Sequence, residues 1–188
     1  MFAFLPYYTG VMIFALIHFL AWASALIATP TAQFQTPNYG CYTMWGYRKF
    51  CGDVPYDLTG DAAFGCARRT STMHCGAAFG VMASVCGFAA LIFGILLNTQ
   101  IQLPVSIAFV LASLCIPLTM ISWACVASVY NLTMCGNRFG SMYPYSAGFA
   151  LMVGSCLLEM IAVGVLTCTS WTRPPSEEEE EDPTAPKY

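Results

Sequence analysis

The chain has 188 residues, 57% of them hydrophobic and only 9% charged, with a formal net charge of −3 and a mean hydropathy of +0.63. Soluble domains carry roughly 25% charged residues, so this composition excludes a water-soluble globule and points to a chain embedded in a membrane. No Lys, Arg, Asp or Glu lies between Arg69 and Arg138, a stretch that must therefore hold two spans.

A bilayer core takes roughly 20 apolar helical residues, and four segments reach that length. The first runs from about Tyr7 to Thr29. Ala23-Ser24-Ala25 has the small residues of a signal-cleavage site, but no Lys or Arg precedes the apolar run and the run continues to Ala28. A retained helix is expected. His18 lies at depth in it. A large loop, 30–75, follows, with Cys41, Cys51, Cys66 and Cys75 and the cations Arg48, Lys49, Arg68 and Arg69.

The second span is expected from Gly76 to Leu97. Gly76, Gly80, Ala83, Gly87, Ala90 and Gly94 recur at intervals of four and three, which places all six on one helix face. Such a stripe lets helix backbones approach closely where lipid offers no hydrophobic drive, so packing inside a bundle is expected, with association between copies as the alternative. A tight turn at Asn98 to Gln102 leads to the third span, Leu103 to Tyr130. Pro117 in its middle removes a backbone hydrogen bond, so a kink or tilt is expected there.

A short loop, 131–144, holds Cys135 and the glycosylation sequon Asn131-Leu132-Thr133. The sequon sits against a helix end and carries little weight. The fourth span, Tyr145 to Cys168, contains Glu159. An ionisable side chain at that depth is costly unless paired or protonated, which makes it a functional candidate. His18 is eleven residues into its helix and Glu159 nine from the end of its own, so helices running in opposite senses put the two at comparable depths. A His18–Glu159 pair follows as an expectation, as an interhelical polar contact or as part of a proton or ion path. Residues 1–168 read as one four-span domain, and 169–188, with six consecutive acids from Glu177 to Asp182, as a solvated acidic tail.

Sidedness is contested within the sequence. Positive-inside counting places the large loop in the cytoplasm, because it holds four of the seven cations. The cysteines of the two same-side loops argue the reverse, because disulfides persist in oxidising compartments.

The stretch CYTMWGYRKFC, Cys41 to Cys51, resembles the signature of the amastins, surface glycoproteins of trypanosomatid parasites. The pattern is Cys, a variable residue, Thr or Ser, a hydrophobe, Trp-Gly, a variable residue, a basic residue and a second Cys. The likeness continues in Cys66-Ala67-Arg68-Arg69, and in Cys135 followed by Tyr145-Ser146-Ala147-Gly148-Phe149-Ala150-Leu151. It departs at Lys49-Phe50, where the family often has a polar or acidic residue. The resemblance implies an all-α membrane protein: a four-transmembrane-helix bundle with a disulfide-bonded outer loop, distantly claudin-like. It also implies a plasma-membrane location, cytoplasmic termini and extracellular loops 30–75 and 131–144.

In that compartment Cys41 and Cys51 are expected to pair, because nine intervening residues close an unstrained loop and the spacing is not that of a redox Cys-x-x-Cys. Zinc would want paired short Cys or His intervals. Cys66, His74 and Cys75 are the candidates for it, and disulfide use is favoured for those cysteines. Cys66 with Cys75, or either with Cys135, stays open. Trp45, Gly46, Tyr47, Arg48 and Lys49 form a candidate contact loop, Trp45 favouring packing onto the helix ends and the Arg48-Lys49 edge favouring contact.

No phosphate-binding loop, nucleophile elbow or paired carboxylates appear, so neither an enzyme nor a cofactor is expected, and nothing suggests nucleic-acid binding. The expected partners are the lipid bilayer and either further copies or an opposing membrane's protein or lipid. The expected role is structural or interactive, and ion or proton transport through His18 and Glu159 is the alternative.

Overall fold

The computed structural model describes residues 7–99 and 104–170. Among them are four helices long and apolar enough to cross a membrane: α1 Tyr7–Ala28, α3 Ala67–Leu96, α4 Val105–Asn131 and α5 Ala147–Ser170. Each packs on two neighbours, in the ring order α1, α3, α4, α5 and back to α1. The acidic run of the tail and much of the turn before α4 lie outside the described residues.

The spacing of the buried side chains accounts for the bundle. On α1 they fall at Val11, Phe14, His18, Ala21, Ala25 and Ala28, alternating steps of three and four that keep one face inward. The expected stripe on α3 is buried throughout. A Cβ on Gly76 would meet Cys125 and Ser122 of α4, and one on Gly87 or Gly94 would meet Trp22 or Phe14 of α1. The small residues thus seat α3 against two neighbours within one molecule. Pro117 lies inside α4, which runs unbroken through it.

One boundary differs from expectation. α3 begins at Ala67 rather than Gly76, and its 30 residues make about 45 Å of helix, against a hydrocarbon core of about 30 Å. The added turns are too polar to read as a span but are continuous helix, because Arg69 and Met73 face inward against the cap. Gly65, with φ +81°, ends the short α2 (Gly60–Phe64) in the left-handed conformation that glycine tolerates.

The loops build a cap over one end of the bundle. The large loop folds into an antiparallel meander, β1 Phe34–Gln35, β2 Cys41–Tyr42, β3 Gly46–Arg48 and β4 Leu58–Thr59. The short loop forms a hairpin, β5 Thr133–Met134 and β6 Asn137–Arg138. Its two-residue turn has positive φ at both Cys135 and Gly136, the backbone that matches strand twist. Backbone bonds join the cap to α5: Ser146 N–H donates to Gln33 O and Gly148 N–H to Ala32 O, both at 2.9 Å. A cluster around Phe34, Phe64, Met73 and Phe139 fills the space beneath the cap, and a second around Val11, Phe14, Ala90 and Leu166 fills the far end.

Candidate functional site

The signature stretch makes the centre of the cap. Cys41 pairs with Arg48 and Tyr42 with Tyr47 across the β2–β3 hairpin. Thr43 closes the turn: its N–H donates to Gly46 O at 2.9 Å, and its hydroxyl oxygen accepts the Trp45 N–H at 3.1 Å. Gly46 packs directly on the Leu58 carbonyl, which leaves no room for a Cβ. The Trp-Gly pair therefore has a local reason, a close approach of β3 to β4.

Of the expected contact residues, Gly46 is buried and Tyr47 half-buried against Tyr42. Arg48 is half-buried, its guanidinium 4.4 Å from the centre of the Tyr56 ring. Trp45 turns toward α3, its ring 6.5 Å from that of His74. Lys49 is exposed, and its backbone N–H donates to Asp57 Oδ2 at 2.6 Å. Exposed apolar side chains stand in the same loop, Phe50 next to it and, outside the signature, Tyr39 and Val54: Tyr39 is 78% exposed, Phe50 54% and Val54 84%.

Among the described residues the disulfide is Cys66–Cys135, with Cα atoms 6.4 Å apart, one of the pairings left open. It joins the start of α3 to the tip of the β5–β6 hairpin. Cys41 and Cys51, expected to pair, lie beside each other, with Cys51 Sγ donating to Tyr39 O at 3.3 Å, and Cys75 lies beside Cys125 of α4. Cys66, His74 and Cys75 do not converge as a metal set would, since Cys66 is bonded to Cys135 and His74 lies beside Trp45.

Burial first, then the hydrogen bond and proximity to Cys51, push the Cys41 thiol up to about 12, against a smaller opposing effect of Arg48. Cys41 therefore holds very little thiolate near neutral pH, while Cys51 is exposed. In the reduced protein at pH 8, iodoacetamide is expected to modify Cys51 well before Cys41, because the thiolate is the nucleophile. Peptide mapping over time checks the order, and equal rates would contradict it.

Arg69, expected only as a loop charge within the Cys66-Ala67-Arg68-Arg69 element, is the buried clamp of the cap, 4% exposed. Its guanidinium donates to Phe64 O at 3.3 Å, Met134 O at 2.6 Å and Asn137 O at 2.8 Å, and also to Asn137 Oδ1. It lies one helical turn from Cys66, so disulfide and guanidinium grip the same hairpin. The Cys-x-x-Arg spacing was the available signal. Gln33, fully buried, bonds Ala28 O at 2.8 Å and had no signal in the sequence.

Asn131, at the end of α4, donates its side-chain amide to Ala127 O at 3.0 Å.

His18 and Glu159 meet between the two core clusters. Nδ1 of His18 lies 2.8 Å from Oε1 and 3.0 Å from Oε2 of Glu159, and both residues are buried. Nε2 is 2.9 Å from Gly87 O. A carbonyl only accepts, so Nε2 carries the proton that meets Gly87 O, and Nδ1 faces the Glu159 carboxyl group. The same layer holds Ser155 Oγ donating to Ala21 O at 2.8 Å and Trp22 Nε1 donating to Ser84 O at 2.9 Å. Polar bonds thus tie α1 to both α3 and α5 at mid-depth.

Glu159→Gln is expected to leave stability nearly unchanged, because the amide N–H can donate to Nδ1 while Nε2–H stays on Gly87. Glu159→Leu leaves a buried acceptor unpaired and is expected to cost about 1–3 kcal/mol. Thermal unfolding in detergent separates the two, and a Gln variant as damaged as the Leu variant would show that the carboxylate charge itself is required.

Four apolar helices closed at one end by a disulfide-linked cap define a multi-pass integral membrane protein in contact with the lipid bilayer. A family model described as Amastin surface glycoprotein matches residues 19–166, and the chain belongs to that family. No curated protein and no solved structure matches it.

Proposed function

We propose that the protein is a surface contact module whose cap faces out of the cell and presents the Tyr39, Lys49, Phe50 and Val54 edge to an opposing membrane or to neighbouring copies. The observation that carries this reading is the exposure of three large apolar side chains beside a cation, on a cap fixed to the bundle by a disulfide and a buried arginine. Exposed aromatic and apolar groups on a rigid frame are what interfaces use as anchors. The Cys66–Cys135 disulfide supports an oxidising, outward face. Burial of Arg69 also weakens the opposing charge count, because that cation is engaged within the protein.

Two observations support a packing role for His18 and Glu159 over a transport path. The pair is enclosed between apolar clusters, and both imidazole nitrogens are engaged. The contact reading is tested with full-length protein in vesicles tethered to target-cell membranes. Replacing Tyr39, Phe50 and Val54 together by Ser is expected to weaken tethering about tenfold, as loss of interface anchors does, with the Cys66–Cys135 link retained. Undiminished tethering would overturn it.

A further inference from the structure

Two pairs of cysteines line the seam between α3 and α4 at different depths. Cys75 lies beside Cys125, and Cys86 lies beside Cys115, about 16 Å further along α3. The first pair stands where the helices leave the hydrocarbon. Arg68, Arg69 and His74 all precede Cys75 in α3, and no Lys, Arg, Asp, Glu or His follows it before the helix ends at Leu96. Trp45, whose ring lies beside that of His74, is of the residue type that settles at headgroup level. Cys75 is exposed and Cys125 half-buried.

The seam holds this pair close. Ser122 Oγ, one turn from Cys125 on α4, donates to Gly76 O at 2.8 Å, which fixes the register of the two helices next to Cys75. A Cβ on Gly76 would stand 3.1 Å from Cys125 Cβ, so the α3 backbone lies directly on that side chain. Helices this near each other allow the Cβ spacing of a disulfide, about 3.5–4.5 Å.

We propose that Cys75 is a site of oxidation by hydrogen peroxide, with Cys125 as the thiol that resolves the product into a disulfide. Exposure selects Cys75 as the sulfur that reacts first, because the thiolate is the nucleophile and a thiol needs water to ionise. The Cys75 thiolate attacks one peroxide oxygen and the O–O bond breaks. That oxygen stays on sulfur as a sulfenic acid, and the other leaves as hydroxide, which takes up the proton Cys75 released and becomes water. Cys125 Sγ then attacks the Cys75 sulfur, the S–O bond breaks, and the sulfenic oxygen leaves as a second water carrying the Cys125 proton. Two thiols and one peroxide thus give one disulfide and two waters, with two electrons passing from sulfur to oxygen. The new bond closes α3 on α4 beneath the Cys66–Cys135 link, and a dithiol reverses it. Cys86 and Cys115 are also neighbours but lie within the hydrocarbon span, where a thiolate does not form, so they stay reduced. The inference is independent of the contact reading.

The test treats the full chain in phosphatidylcholine nanodiscs with hydrogen peroxide, blocks the remaining thiols with iodoacetamide in denaturing detergent, and maps the non-reduced peptides by mass spectrometry. A Cys75–Cys125 peptide is expected that is absent before treatment and lost again with dithiothreitol, while Cys86 and Cys115 remain open to alkylation. In Cys125→Ser the sulfenic acid on Cys75 has no thiol to resolve it, so dimedone, which traps sulfenic acids, should mark Cys75 about tenfold more than in the parent. Full alkylation of Cys75 and Cys125 after peroxide would overturn the proposal. So would a bond already present in the untreated protein, equal bonding of Cys86 with Cys115, or dimedone labelling that Cys125→Ser does not raise.

Discussion

Replacing Arg69 by Met is expected to destabilise the protein by about 3–5 kcal/mol, because Phe64 O, Met134 O and Asn137 O lose a charged donor in a place water reaches poorly. Met keeps much of the apolar stem, so the loss isolates hydrogen bonding from packing. Lys cannot reproduce the planar fork and should rescue only part of the loss. A chain of this size loses about 2–4 °C of Tm per kcal/mol, so the Met variant should melt on the order of 10 °C lower in detergent. Its hairpin 133–138 should also become sensitive to protease before the helices unfold. A Met variant melting within about 2 °C of the parent, less than one kcal/mol, would remove Arg69 from its place as the clamp.

Opening the Cys66–Cys135 bond is the second large effect. The bond spans a sequence separation of 69 residues, for which the chain-entropy relation gives about 4 kcal/mol. The membrane lowers that figure, because helices held in the bilayer keep the unfolded loop ends from ranging freely. A loss of about 2–4 kcal/mol is therefore expected for Cys66→Ser with Cys135→Ser. Cys75→Ser should change little, since its thiol closes no loop. Arg69 and the disulfide hold the same hairpin, so their losses should not add: once the hairpin is free, the second change has less left to release. A double variant whose loss equals the sum of the separate losses would show two independent attachments rather than one.

The spans were legible because hydrocarbon imposes a length and a composition that few other structures share; the charge-free stretch from Thr70 to Asn137 could hold nothing else. The stripe from Gly76 to Gly94 was legible for the same reason, since helical spacing is fixed. Counting depth from the helix ends also brought His18 and Glu159 to one level, and the structure puts them in contact. The overhang of α3 was hidden because the apolar signal stops at the membrane surface while the helix does not. Strands of two or three residues are too short to show alternation, so the cap read as loop. The disulfide partner depended on where the hairpin turn would sit, which no local pattern states. Arg69 looked like any loop cation, because its acceptors come from two segments, the end of α2 and the β5–β6 hairpin, of which the second lies far away in the sequence. Exposure within the cap was not legible either: Gly46 is buried and Tyr47 half-buried, whereas Tyr39 and Val54, outside the signature, are the most exposed of the large apolar cap residues.

The outward orientation of the cap is tested most directly by the two lysines of the chain, Lys49 in the cap and Lys187 beyond the fourth span. Intact cells displaying the full protein are treated with a membrane-impermeant amine-acylating reagent, then lysed, and the two lysine peptides are mapped by mass spectrometry. Acylation of Lys49 with Lys187 unmodified until the membrane is permeabilised is the result predicted. Acylation of Lys187 with Lys49 protected would place the cap in the cytoplasm and contradict the account.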